Sequence, residues 1–432
     1  MLIDHGISEQ VRCVITSNME NIMKTVSKVA LALAGVAGLA LSAESAHAQL
    51  VLNGTGSSAG RLFAGNSPAA ICAAAPTPLL FVSSEGTPNR YEWQCTINGV
   101  ANSRVRYSAT NSSDGFEKQP NGAVGTAVYL NTAGCPAGVN VTILGKTVTR
   151  SVCPAGTPTQ TLTVHWGASD VKASSLTQNA GGVNQDPPPS NHLTTTPTVI
   201  VPFAIVVGGG VRNGSGGNLV TMTDNEIRQI ITGNVPSWTD LGYDTTSANK
   251  VITVCQRTGG SGTIAALDET LIRPGFWGAP TFPGIANPSS SNVVACVNNN
   301  PNSIGYLDSD SVNATNFPNG AYQVAINGQP VNAGALGTGV ARLTALRCGR
   351  YPYWADWNFI TRTSGVQGAP INAAAGTNAA ITGLGTAMLN NNPLPDFWLS
   401  ENDTFVFKND DRGPHFWFTP TVNGANISAV CN

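Results

Sequence analysis

The chain has 432 residues, a formal net charge of -2 and only 11% charged residues. Lys+Arg 22 against Asp+Glu 24 leaves no excess of positive charge, which excludes the basic stripe of a nucleic-acid binder. Gly 47 and Pro 27 point to many turns and long surface loops, on a chain long enough for two cores of ordinary domain size.

Residues 1–22 are mixed and polar and are expected to play no structural role. A secretory signal begins at Met23. Lys24 and Lys28 give it a positive start, Val29 to Leu41 form an apolar run, and Ala46-His47-Ala48 places small residues where a signal peptidase reads them. Cleavage is expected after Ala48. The run is too short for a spanning helix, which needs about 20 apolar residues, and no Cys follows it to carry a lipid.

Cysteine usage agrees with export. Beyond Cys13 there are eight: Cys72, Cys95, Cys135, Cys153, Cys255, Cys296, Cys348 and Cys431. An even number in an exported chain reads as disulfides, and proximity in sequence favours 72–95, 135–153, 255–296 and 348–431. A loop the size of Cys135 to Cys153 contributes roughly 3 kcal/mol in the chain-entropy model. No Cys-x-x-Cys or His-x-x-His pair is present, so no metal is expected.

Val51 begins a short strand that runs into the Gly/Ser turn Gly54-Thr-Gly-Ser-Ser-Ala59. Arg61 to Phe63 start a helix. The Pro-rich, Cys-bounded stretch 72–95 is expected as a loop. Arg104 to Tyr107 form a strand, followed by the turn Asn111-Ser112-Ser113-Asp114-Gly115. Residues 125–160 hold two β-rich stretches pinned by Cys135 and Cys153. Thr161 to Trp166 alternates as a strand does and stops at Gly167-Ala168-Ser169-Asp170. Residues 177–198 read as a connection, and Val199 to Val207 as a buried strand interrupted at Pro202.

The clearest helix signal is the capping box Thr223-Asp-Asn-Glu226, with Ile227, Ile230 and Ile231 on one face and Gly233 as its stop. Val251 to Val254 is a short buried strand. A Gly/Ser turn, Arg257 to Thr263, follows it and leads into a second helix. Ser303 to Leu307 is another strand. Tyr351, Tyr353, Trp354 and Trp357 cluster as core.

The strand, Gly-rich turn and helix around Arg257 form a natural anion cradle. Backbone N–H groups converge in such a turn, and the following helix adds its own unpaired N–H groups. Ser261 and Thr263 can donate hydroxyl hydrogen bonds, and Arg257 can add a charge-assisted contact. Asp170 stands at a strand's carboxyl end, where ligands of open α/β sheets sit. A carboxylate there suits an anion that carries a proton.

These pieces, in this order, resemble the type-II periplasmic solute-binding proteins, specifically the phosphate-binding branch that serves ABC transporters. Gly54 to Ala59 resembles that family's first Gly-rich turn, and Asn111 to Gly115 its Ser-bearing turn. Gly167 to Asp170 matches its Gly-Ala-Ser-Asp motif, Ser237-Trp238 its Asn-Trp segment, and Arg257 to Thr263 its Arg-x-x-Gly-Ser-Gly-Thr motif. Ile304-Gly305-Tyr306 and Tyr351-Pro352 match later landmarks. Gly259 departs from the pattern, standing where the family usually places an Asp. Ala59 stands where an aromatic often follows the first-turn hydroxyl.

The resemblance implies an α/β fold of two lobes with two hinge crossings and disulfide-bearing loop insertions. Lobe one would hold residues 49–198 and 311–432, and lobe two 199–310. It implies a monomeric, non-enzymatic binding protein without cofactor, in the periplasm or secreted, with no membrane insertion after cleavage. Its ligand would be inorganic phosphate or a similar oxyanion and its partner an ABC permease. Ser58, Ala59, Ser112, Ser261, Gly262 and Thr263 would line the anion, Arg257 would neutralise it, and Asp170 would accept a hydrogen bond from its proton. The low charge and Cys-bearing insertions also suit a secreted structural, adhesive or surface-associated protein that keeps the fold without transport. A hydrolase is disfavoured: His165, His192 and His415 form no Ser-His-Asp order.

Overall fold

The computed structural model describes residues 49–84, 90–120, 125–176, 192–272, 283–331, 343–363, 377–390, 394, 398–400, 403–408, 411, 416–417, 421–422, 425–426 and 431. The expected signal segment lies outside the described residues, as does His415.

The chain opens with β1 (Val51–Ser57), α1 (Arg61–Asn66), β2 (Leu79–Ser83), β3 (Arg90–Ile97), β4 (Val100–Thr110) and α2 (Ser112–Glu117). It continues through β5 (Thr126–Leu130), β6 (Val139–Ile143), β7 (Lys146–Cys153), β8 (Thr159–Thr163), β9 (Trp166–Ser169) and α3 (Ala173–Leu176). The long β10 (Leu193–Val207) is followed by β11 (Val211–Arg212), β12 (Thr221–Met222), α4 (Asp224–Ile231) and β13 (Asp244–Thr245). Then come β14 (Thr253–Arg257), α5 (Gly262–Leu267), β15 (Ile285–Asn287), α6 (Ser290–Asn299), β16 (Ser303–Asp308) and β17 (Tyr322–Ile326). The elements α7 (Thr344–Arg347), β18 (Trp354–Arg362) and α8 (Thr377–Leu389) follow. The α/β class expected from the sequence is the class observed.

One mixed sheet runs in the order β15-β14-β16-β10-β18-β9-β1-β4-β3-β2-β7-β6. It contains two sets of parallel neighbours. In one, β1 lies between β9 and β4; in the other, β14 lies between β15 and β16. β10 joins them: its first part pairs antiparallel with β18 and its last five residues with β16. The carboxyl ends of the parallel strands carry Ser57, Thr110, Ser169, Arg257, Asn287 and Asp308. This arrangement gathers the site.

Several segments differ from the sequence reading: Gly54 to Ser57, read as turn, belong to β1, and the strand read at Val251 to Val254 is Thr253–Arg257, with Val251 exposed. The stretch 72–95 contains β2 and β3, which pair antiparallel. Pro-rich flanks hide them, and Glu92, with none of its surface exposed, is held between Arg104 and Arg106. Thr161 to Trp166 is not one strand. Val164 donates to Gly125 O at 2.9 Å and His165 to Asn53 O at 2.7 Å, so the chain changes partner between β8 and β9. β10 begins at Leu193, inside the expected connection, and runs through two prolines. Its ladder against β18 shifts register between Pro197 and Val199, a place where a residue lacking an N–H can be accommodated.

All four expected cysteine pairs are disulfide-bonded, 72–95, 135–153, 255–296 and 348–431. The aromatic cluster is core as expected: Tyr351, Tyr353, Trp354 and Trp357 have no exposed surface. Trp357 meets Phe63 edge-on at 5.2 Å, and Trp166 stacks on Tyr107 at 5.3 Å. β1 approaches Trp166 so closely that a Cβ at Gly54 would lie 2.0 Å from the indole, so this position requires glycine.

The capping box of α4 forms as read. Thr223 Oγ1 accepts from the Glu226 N–H at 3.1 Å, and Glu226 Oε2 accepts from the Thr223 N–H at 2.7 Å. Ile227, Ile230 and Ile231 are buried beneath it. Thr223→Ala is expected to cost about 1 kcal/mol, read as a lower urea midpoint with an unchanged slope.

Candidate functional site

Arg257 is the centre of the site. It ends β14 between two parallel neighbours and is 2% exposed. Its backbone N–H donates to the Tyr306 hydroxyl at 3.1 Å. Nη1 donates to Thr263 Oγ1 and Ser290 Oγ, each at 3.2 Å. Nη2 donates to Ser58 Oγ at 3.2 Å and to Pro288 O at 3.3 Å. One guanidinium thus ties the turn after β1 to the starts of α5 and α6.

Asp170 lies on the other side of Thr263. The Thr263 hydroxyl donates to Asp170 Oδ2 at 3.5 Å, and the Asp170 N–H donates to Ser112 Oγ at 3.4 Å. The contact with α5 is so close that a Cβ on Gly262 would fall 2.1 Å from Asp170 Oδ1 and 2.5 Å from Ser112 Oγ. Only glycine fits there. The Ser113 N–H donates to Gly260 O at 3.1 Å, closing the start of α2 onto the Gly-rich turn. The Tyr353 hydroxyl donates to Thr263 O at 2.8 Å and fixes the turn from the core side.

Hydrogen bonds or direct approach therefore join Ser58, Ser112, Asp170, Arg257, Gly262 and Thr263. Ser261 precedes α5, makes no capping bond and is 2% exposed. Ala59 is buried beside Ser58 and can contribute only its backbone. Three participants were not read from the sequence. Ser290 receives the Arg257 bond and donates to Asp308 Oδ1. Asp308, fully buried, also accepts from Ser311 and from Arg61 Nη1 at 3.4 Å. Arg61 in turn donates to Ser58 O at 3.2 Å. Their signals were present: Arg61 follows the first Gly-rich turn, Ser290 sits in a Ser-rich helix start, and Asp308 ends the Gly-Tyr strand. No carboxylate stands at Gly259; Asp308 reaches Arg257 through Ser290.

Electrostatics follow from burial. Burial pushes the Asp170 carboxyl up to about 6; Arg257 opposes this, and Asp308 adds to it. Burial pulls the Arg257 guanidinium down, while Asp170 and Asp308 push it back up. Arg61 loses to burial but gains more from Asp308 and Asp310, and ends above its ordinary value.

Among the described residues, three buried polar atoms of the cluster have no hydrogen-bond partner: Arg257 Nε, Ser261 Oγ and Asp170 Oδ1. A hydrogen bond from the Ser57 hydroxyl favours the ionised Asp170 carboxyl. Two of these atoms belong to donors and one to an acceptor. Leaving them unmatched costs about 1–3 kcal/mol each, more for the charged groups. A tetrahedral oxyanion bearing one hydroxyl supplies acceptors for the first two and a donor for the third.

A family model described as "PBP superfamily domain" matches residues 90–379. Among solved structures, the chain is similar to the phosphate-binding protein from Stenotrophomonas maltophilia, with 16% identity over 78% of this chain and 83% of that one and a TM-score of 0.40. It is similar to an ABC-type phosphate transport receptor from Vibrio cholerae, with 15% identity over 51% and 73% and a TM-score of 0.34. PstS from Borrelia burgdorferi gives 13% identity over 72% and 87% and a TM-score of 0.34. No curated protein matches the chain.

Proposed function

Because this chain belongs to the PBP superfamily, we propose that it is an extracytoplasmic solute-binding protein that takes phosphate or a related oxyanion and delivers it to an ABC transporter. It is exported by a signal peptide cleaved after Ala48, works as a monomer and catalyses no reaction. Lobe one comprises residues 49–198 and 311–432, lobe two residues 199–310, and the anion is held between them.

The observation that carries this reading is the buried guanidinium of Arg257, bonded to Ser58 and Thr263 within a cluster that leaves two donors and one acceptor unmatched. Arg257 neutralises the anion. Ser58, Ser112 and Ser261 donate with the amides around Ala59 and Gly262, Thr263 turns its hydroxyl from Asp170 to the anion, and Asp170 accepts a hydrogen bond from the anion's own hydroxyl. Burial strengthens each of these contacts by excluding competing water.

A ligand that binds only the folded state raises stability by mass action, by about 2.7 kcal/mol at a hundredfold excess over Kd. Phosphate should therefore raise the melting temperature of the chain from Gln49 onward, with arsenate close behind and sulfate weaker at pH 8. No shift with millimolar phosphate, arsenate or sulfate would sink the reading.

A further inference from the structure

A partly open cavity lies away from the anion cluster. α8 packs across β10 and β18 and leaves a cavity of ≈ 380 Å³, within the size range of small-molecule sites. Ile381 and Leu389 reach it from one face of α8 and Phe359 from β18, giving apolar walls. Thr361 and Thr386 add hydroxyls, and His165 and Arg362 add nitrogen donors.

His165 is 5% exposed, and its Nδ1 accepts the Asn53 N–H at 3.0 Å. An accepting Nδ1 places the ring proton on Nε2. No described residue takes a hydrogen bond from Nε2. Burial, then Arg362 and Arg106, pushes the imidazole down to about 4, so it stays neutral. Burial lowers Arg362 too; Arg362 also interacts elsewhere in the protein, and what it brings here is positive charge. The described lining contains no carboxylate.

We propose that this cavity is a second ligand site, for a monocarboxylate with a short apolar tail. The carboxylate accepts from His165 Nε2 and lies in the field of Arg362, while the tail rests on Phe359, Ile381 and Leu389. An imidazole N–H from which no described residue accepts and a cationic neighbour favour an anion, and the walls favour carbon over water. The site shares no residue with the oxyanion cluster, and its occupancy does not require that cluster to bind phosphate.

Octanoate is the probe, with 1-octanol and octylammonium as its uncharged and cationic counterparts, titrated calorimetrically into the chain from Gln49 onward. Octanoate should bind at least tenfold tighter than 1-octanol, and octylammonium should not bind. Octanoate should also shift the His165 imidazole ¹⁵N resonances and raise the pH at which they titrate. Arg362→Gln should weaken octanoate at least tenfold. Thr386→Trp, on an exposed helix position facing the cavity, should block it. Each variant is checked for an unchanged far-ultraviolet dichroism spectrum, and if one fails to fold the other carries the test. Absence of octanoate binding at millimolar concentration, equal binding of 1-octanol, or unchanged binding in a folded variant would overturn the proposal.

Discussion

Arg257→Met is expected to reduce phosphate affinity by about a thousandfold. Removing one partner of a buried, hydrogen-bonded charge pair costs about 2–5 kcal/mol, and each 1.4 kcal/mol is about tenfold in affinity. Arg257 merits the upper half of that range because its guanidinium contacts Ser58, Thr263 and Ser290 at once, so its loss also releases the hydroxyls that face the anion. The folded state should survive the change. Arg257 holds the Asp170 carboxyl down, so without it Asp170 takes up a proton more readily and avoids standing as a bare buried charge. Arg257→Lys should fall between the two, since an ammonium keeps the charge but not the planar fork. Calorimetric titration with phosphate at pH 7.5 measures all three proteins. Affinity within threefold of the parent in a folded Arg257→Met protein would remove the anion-binding reading.

The parts of this site that could be read from sequence are local. Arg257 to Thr263 is one continuous strand-turn-helix, and Gly167 to Asp170 one continuous strand end, so their chemistry is written in adjacent residues. Ser290, Asp308 and Arg61 were not legible in this way. Each is an ordinary strand end or helix start until the fold brings Ser290 to Arg257 and Asp308, and Arg61 to Asp308; β14 pairs with β15 and β16, and β16 with β10. The same holds for the fold. The capping box at Thr223 specifies its helix alone, whereas β3 carries a glutamate that is buried only because Arg104 and Arg106 lie opposite it. β10 shows the converse: Pro197 and Pro202 argue locally against a strand, and pairing with β18 overrides them. Disulfide pairing was legible because each pair links elements close in sequence, apart from the longest, Cys348 to Cys431.

Asp170→Asn is expected to abolish most of the preference for phosphate over sulfate. Phosphate keeps a hydroxyl near neutral pH and can donate to an ionised Asp170; sulfate has no proton and would face it charge to charge. Such an unpaired buried contact costs several kcal/mol. An Asn amide can turn its NH2 toward either anion, so the ratio of affinities should fall by about a hundredfold or more, about 2.7 kcal/mol. The parent protein should show the same effect through pH. Burial raises the Asp170 carboxyl to about 6, so it is ionised above that value and protonated below it. Sulfate affinity should therefore rise as pH falls from 7 to 5 in the parent and stay flat in Asp170→Asn. Stability without ligand carries the same sign. Between pH 4 and 6 the folded state holds a proton that the unfolded state has released, so this group's contribution falls by about 3 kcal/mol as pH rises through that window. Asp170→Asn lacks that slope, and the difference between the two urea-unfolding profiles isolates it from Asp310, whose carboxyl is also raised by burial. A sulfate affinity independent of pH in the parent would show that Asp170 does not face the anion.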